Sequence, residues 1–149
     1  MFNDMGFFVA CYNGKNSIKV KMSFRFLVNW FSAYLTANYL SKRYIAASYA
    51  LGSGVKKDEY QARMWYGRAS KAGDITSDYD LALMLLKGEG GTIDFEKGKL
   101  FLEGAASKGE VMAQKVLAYA YKQGLFGFPI DDECHLYWKG IAELNGIII

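Results

Sequence analysis

Apolar positions recur along this chain at helical spacing, and the polar breaks between them recur too. Ile45, Ala46 and Tyr49 precede a Gly52-Ser53-Gly54 turn. Ala62, Trp65, Tyr66 and Ala69 follow it at i, i+3, i+4 and i+7, which is one face of a helix. Gly52 and Gly73 stand where each helix must stop, since glycine enters the left-handed conformation at little cost. Asp58 stands where the second helix must start, with a carboxylate able to accept its unsatisfied N–H groups. The stretch YALGSGVKKDEYQARMWYGRASKAG therefore predicts a helix, a hinge and a second helix.

A shift of 36 positions repeats the pattern. Gly52, Gly54 and Asp58 fall on Gly88, Gly90 and Asp94; Ala46, Trp65, Ala69 and Gly73 fall on Ala82, Phe101, Ala105 and Gly109. In a third copy Ala118 and Gly124 keep the spacing, and one inserted residue in LFGFPID moves Asp131, Trp138, Ala142 and Gly146 to a spacing of 37. Ala10 and Ala33 stand 36 before Ala46 and Ala69, without the glycines and acid between them. Residues 1–37 thus read as a degenerate first repeat or N-terminal cap, and 38–74, 75–110 and 111–149 as repeats of a single domain. A helical hairpin of this size cannot bury its apolar face alone and must stack on its copies.

The motif G-x-G-V, Asp, Ala, W-Y, Ala and Gly at these spacings is similar to the Sel-like repeat family, an α/α solenoid related to tetratricopeptide repeats. The copy at 45–73 matches nearly throughout. At 81–109, Gly91 replaces the Val and Gly98 the middle Ala; at 117–146 the second glycine is displaced and His135 replaces that Ala. The resemblance implies an all-α fold, a right-handed α/α superhelical solenoid of about four helix pairs with the first degenerate. It also implies a scaffold for protein complexes with ligands in the groove lined by the first helices, and no cofactor.

Composition adds little to the fold and more to the partner. Proline occurs once, at Pro129, and 52% of residues are hydrophobic, which argues against disorder. Net charge is +3, yet residues 1–57 hold eight Lys/Arg against one acid while 58–149 hold ten against fourteen. That asymmetry suits an acidic partner. No dense basic run or aromatic-basic motif marks a nucleic-acid site. Cys11 and Cys134 lie too far apart in an elongated array to bridge. The opening MFNDMGFFVAC has a short apolar stretch ending at Cys11, but no basic leader and an acid at Asp4, so a cytoplasmic protein is expected, with a periplasmic or Cys11-anchored form as the alternative. FRFLVNWFSAYLTANYL is too short and too polar for a membrane span.

Three patterns could carry chemistry. The glycine pairs lack the preceding strand of a phosphate loop, and no lysine with a following Ser or Thr completes one. Ser53-Gly54-Val55-Lys56 fits S-x-x-K, the acylating element of penicillin-recognising enzymes. Some Sel-like proteins are linked to β-lactam hydrolysis, so a serine β-lactam-binding hydrolase is the alternative function. Here, though, the serine falls in an interhelical loop, Ser77-Asp78-Tyr79 lacks the Asn of S-D-N, and no K-T-G exists. His135 beside Cys134 lacks further ligands or an orienting group, so a packing or end-surface role is expected, with no metal. Asp131-Asp132-Glu133 reads as acids at a helix start.

Within the first helix of each repeat some positions are not claimed by the core pattern. Arg43, Tyr79 and Lys115 share one; Ala47, Leu83 and Tyr119 another; Ala50, Leu86 and Lys122 a third. Spacing of i, i+4 and i+7 puts each set on one stripe, a candidate groove lining for another protein or peptide, although Leu83 and Leu86 fit a core reading equally. The terminal isoleucines either pack back on the last pair or mark a dimer or partner contact. The expected function is a non-enzymatic adaptor; small Sel-like proteins resemble bacterial adaptors and immunity proteins that neutralise a secreted effector toxin, with an envelope-associated adaptor as the remaining alternative.

Overall fold

The computed structural model describes residues 6–13, 16–36 and 38–149, with side-chain surroundings from Met22 onward apart from residue 37. The chain divides into two compact units, Met1–Ala72 and Gly73–Ile149.

In the first unit, strands β1 (Gly6–Asn13) and β2 (Asn16–Ser23) pair antiparallel, with Gly6 opposite Ser23 and Asn13 opposite Asn16. Helices α1 (Phe24–Leu35), α2 (Tyr39–Leu51) and α3 (Glu59–Lys71) follow. α2 and α3 form a hairpin, and α1 packs on α2. Phe26, Ile45, Ala46, Ala62 and Ala69 are fully buried at its centre. Ser23 joins the strands to the helices. Its hydroxyl caps α1 by accepting the Phe26 N–H at 3.2 Å, and its own N–H donates to the Gly54 carbonyl at 2.9 Å. Gly54 has φ +73°, and a Cβ there would collide with Ser23 Oγ, so the approach needs glycine.

The helical class holds, and at the N-terminus, where a degenerate repeat or a cap is expected, the described residues open with two strands. Residues 6–13 and 16–23 form paired antiparallel strands where a repeat would place its first helix; α1 follows the helical pattern. The sequence does carry the signal. In NSIKVKMS, Ile18, Val20 and Met22 alternate with polar residues, which is strand periodicity. The single match of Ala10 to Ala46 is too thin to outweigh it.

The second unit holds α4 (Ile75–Lys87), α5 (Phe95–Ser107), α6 (Val111–Gln123), a short 3₁₀ turn (Leu125–Gly127) and α7 (Asp132–Leu144). α4–α5 and α6–α7 are hairpins, and α5 packs on α6. Ala82, Leu86, Leu102, Ala105, Ala113, Leu117 and Phe128 form the core.

The three hairpins share one wiring diagram. Gly52, Gly88 and Gly124 close the first helices in the left-handed conformation, with φ +72°, +75° and +67°. Asp58, Asp94 and Asp131 then cap the second helices, accepting the N–H of Gln61 (3.0 Å), Lys97 (3.0 Å) and Cys134 (2.9 Å). The backbone N–H of each acid also reaches back to the preceding helix, at Tyr49, Leu85 and Tyr121, 2.9 Å each time. The third loop carries the inserted residue and still makes this bond. The 3₁₀ turn takes up the extra length, with Phe126 at φ +55°.

Asp131 links this capping to pH. The Cys134 N–H holds its carboxyl below the usual carboxylate range. A depressed folded pKa means that the cap contributes fully above the unfolded value and is lost as pH falls through the folded one. We therefore expect Asp131→Ala to melt lower than the parent at neutral pH, with the gap closing under acid below the usual carboxylate range. Thermal melts across pH check it, and a gap that stays constant into acid counts against the capping role.

Candidate docking surface

Each first helix of the second unit buries one face and leaves another partly open. On α4, Ser77, Asp78, Leu81, Ala82, Met84, Leu85 and Leu86 are buried, whereas Tyr79 and Leu83 are half-buried. On α6, Ala113, Gln114, Leu117, Ala118 and Ala120 are buried; Lys115 and Tyr119 are half-buried and Lys122 is exposed. Thr76 at the start of α4 donates to the Glu110 carboxylate that caps α6, at 3.1 Å, which holds the two helix starts together. In the first unit, Arg43, Ala47 and Ala50 are half-buried on α2.

Two of the expected lining residues need revision. Leu86 is only 2% exposed and sits in the core with Ala82, Leu102 and Phe128, so of its two readings the core one holds. Gly98 makes the room: a Cβ there would approach Leu86 Cδ2 to 2.5 Å. The other two repeats carry Ala50 and exposed Lys122 at the Leu86 position, and Ala62 and His135 at the Gly98 position. Tyr79 packs its ring on the same core while remaining half-buried. Burial raises its phenol pKa, with Asp80 and Glu110 adding to the effect. Its role is therefore divided between support and surface.

A polar clasp went unnoticed in the sequence. Buried Asp78 on α4 accepts a 2.8 Å ion pair from Lys108 at the end of α5. One repeat later, buried Gln114 on α6 accepts from Asn145 Nδ2 beyond α7 at 3.0 Å, and donates through Nε2 to the Ala106 carbonyl at 3.0 Å. The equivalent Lys42 donates to the Thr36 carbonyl at 2.9 Å. The available clue was a polar residue held at one place, 42, 78 and 114, beside apolar neighbours.

The residues singled out for chemistry have structural duties. Ser53 follows the C-terminus of α2, where its N–H donates to the Ser48 carbonyl at 3.0 Å. A helix C-terminus presents carbonyls and partial negative charge, the opposite of what stabilises an oxyanion. His135 is 8% exposed, and its Nδ1 lies 2.8 Å from the Ala118 carbonyl, so that nitrogen donates and ties α7 to α6. Burial and the Asp131 and Glu133 carboxylates push the Cys134 thiol pKa up, which leaves it a poor nucleophile. Among the described residues no three His, Cys, Asp or Glu side chains group to hold a metal. No described helix is long and apolar enough to cross a membrane. The side chain of Cys11 lies outside the described residues. At the C-terminus the Ile147 N–H returns to the Ala142 carbonyl at 3.0 Å, while Ile148 is 91% exposed.

The model of the Sel1 repeat matches residues 40–74, 76–110 and 111–133, which take in the first two hairpins and, in the third, α6 and the loop up to the start of α7. The chain is a Sel1 repeat protein. Among solved structures, a Sel1 repeat protein from Oxalobacter formigenes superposes with a TM-score of 0.75 at 27% identity, over 83% of this chain and 50% of that one. A protective antigen of uropathogenic Escherichia coli displaying an SLR fold superposes with a TM-score of 0.76 at 23% identity, over 82% of this chain and 26% of that one. This Sel1 chain spans about a quarter of the antigen and half of the Oxalobacter protein. No curated protein matches the sequence significantly. Sel1 repeat proteins generally act as protein-interaction scaffolds.

Proposed function

We propose that this chain is a non-enzymatic adaptor that docks a segment of another protein on the first-helix surface of its second unit. The observation that carries this reading is the partly open stripe on α4 and α6: Tyr79, Leu83, Lys115, Tyr119 and Lys122 beside helix faces that are otherwise buried. Aromatic rings and cations together suit an acidic peptide, since tyrosine concentrates binding energy and lysine pairs with carboxylates. Arg43 and Ala47 hold the equivalent places on α2. A finer reading makes the partner a secreted effector toxin and the chain its cytoplasmic immunity protein. Its support is the resemblance of small Sel-like chains to such proteins.

Tyr119→Ser with Lys115→Glu should weaken the partner by about tenfold or more, as expected for a hot-spot pair. The melting temperature should stay within a few degrees, because neither side chain is buried. Calorimetric titration and thermal melts read both quantities; unchanged affinity overturns the surface. Tyr79 is best tested as Tyr79→Phe, which keeps the ring on the core. For the immunity reading, co-expression should rescue growth from a toxin encoded beside the gene. Growth arrest that persists with every neighbouring toxin overturns that reading alone.

A further inference from the structure

Helix α1 is apolar on two opposite sides. Phe26 and Ala33 are buried against the first unit. Val28, Phe31 and Leu35, at i, i+3 and i+7, are 51%, 62% and 76% exposed. At about 100° per residue these two sets lie roughly 180° apart around the helix. On the flank between the two sides the Trp30 and Tyr34 rings meet at 4.5 Å, tilted by 55°, with Tyr34 itself 57% exposed. A helix that is apolar on both sides calls for a second apolar surface.

The charge around α1 says what that surface carries. Residues 5–57 contain eight Lys/Arg and no Asp or Glu, and the first unit as a whole holds eleven against three. Cations stand at both ends of the stripe. Arg25 lies in the first turn of α1 with its guanidinium 5.1 Å over the Tyr44 ring. Exposed Lys56 sits in the loop whose Gly54 carbonyl takes the Ser23 N–H. Lys42 donates to the Thr36 carbonyl at the far end. Symmetric pairing of two copies through α1 would bring two strongly cationic units together, so charge opposes a second copy there. A nucleic acid would satisfy the cations but leave the aliphatic stripe in water.

We infer that α1 is a docking face for an anionic lipid bilayer. Val28, Phe31 and Leu35 enter the acyl boundary, Trp30 and Tyr34 sit at headgroup level, and Arg25, Lys42 and Lys56 meet acidic headgroups. This surface is separate from the α4–α6 stripe and stands or falls without it.

The test is co-sedimentation of the full chain with vesicles of phosphatidylcholine alone and of phosphatidylcholine mixed with phosphatidylserine. Partition should be at least about tenfold stronger onto the phosphatidylserine vesicles and should weaken as salt is added. Tryptophan emission should shift to the blue on those vesicles, and Trp30→Phe should remove most of the shift, because Trp65 is already buried and Trp138 packs on the core of the second unit. Phe31→Ser with Leu35→Ser should lower partition by about tenfold or more. Lys42→Glu with Lys56→Glu should lower it and flatten the salt dependence. Circular dichroism melts confirm that each variant folds. Failure to partition onto phosphatidylserine vesicles at low salt overturns the inference. So does partition indifferent to Phe31→Ser with Leu35→Ser, which would mean simple polyelectrolyte adsorption. Self-association in sedimentation equilibrium that the same pair dissolves would assign the stripe to a second copy instead.

Discussion

Trp65→Ala is expected to cost the first unit about 3–5 kcal/mol, the usual loss for truncating a buried aromatic. The ring is 2% exposed. Tyr34 meets it edge-on at 5.3 Å, and the Arg68 guanidinium lies 4.4 Å over its face. Removing it opens a cavity between α1 and α3 and strands the cation that the ring supports. At about 2–4 °C per kcal/mol for a chain of this size, the melting temperature should fall by roughly 10 °C or more. Trp65→Phe should lose far less, since Phe101 fills the same place in the second repeat. A Trp65→Ala protein that melts within about 1 kcal/mol of the parent would mean that the hairpin is held from elsewhere.

The second large effect is a reversal of sign. Leu86→Ala should cost about 2–5 kcal/mol, because the side chain is buried among Leu102, Phe128 and the core alanines. Gly98→Ala in the parent sets two opposing terms against each other. Alanine gains up to about 1 kcal/mol in helix propensity. It also places a Cβ 2.5 Å from Leu86 Cδ2 and 2.6 Å from Cγ, and overpacking of that kind costs about 1–3 kcal/mol. The net change should be a loss. With Leu86→Ala already present, the side-chain clash is gone and only a 3.3 Å approach to the Leu86 backbone N remains. Gly98→Ala should then stabilise, giving the alanines that the first repeat carries at 50 and 62. Denaturant melts of the four proteins give the coupling, expected at about 1–3 kcal/mol. Additive changes would show that the two positions do not compete for one volume.

Much of this architecture was legible at the level of the repeat. Glycine at 52, 88 and 124 and acid at 58, 94 and 131 mark conformational and capping needs that few residue types meet, so they survive divergence and can be seen by eye. Alanines at 46, 82, 118, 69, 105 and 142 are all fully buried, as their spacing suggests. The docking stripe was harder to assign. Leu86 and Leu83 are the same residue type three positions apart, and which one is core depends on Gly98 in a different helix. Periodicity within one helix cannot hold that information. His135 was similar, because its carbonyl partner Ala118 belongs to the helix before. The polar clasp at Asp78 and Gln114 joins residues 30 and 31 apart and is read only by comparing repeats.

The backbone bond from Asp131 to Tyr121 spans one residue more than its counterparts from Asp58 and Asp94, at the same 2.9 Å. Both ends of that loop are pinned, so length added between them bulges outward without turning either helix about its axis. The exposed side of that loop, at Leu125 and Gly127, is therefore a natural port for grafting, while Phe126 and Phe128 stay packed on the core. A foreign peptide spliced there would be displayed as a tethered loop, while the packing of α6 against α7 continued undisturbed.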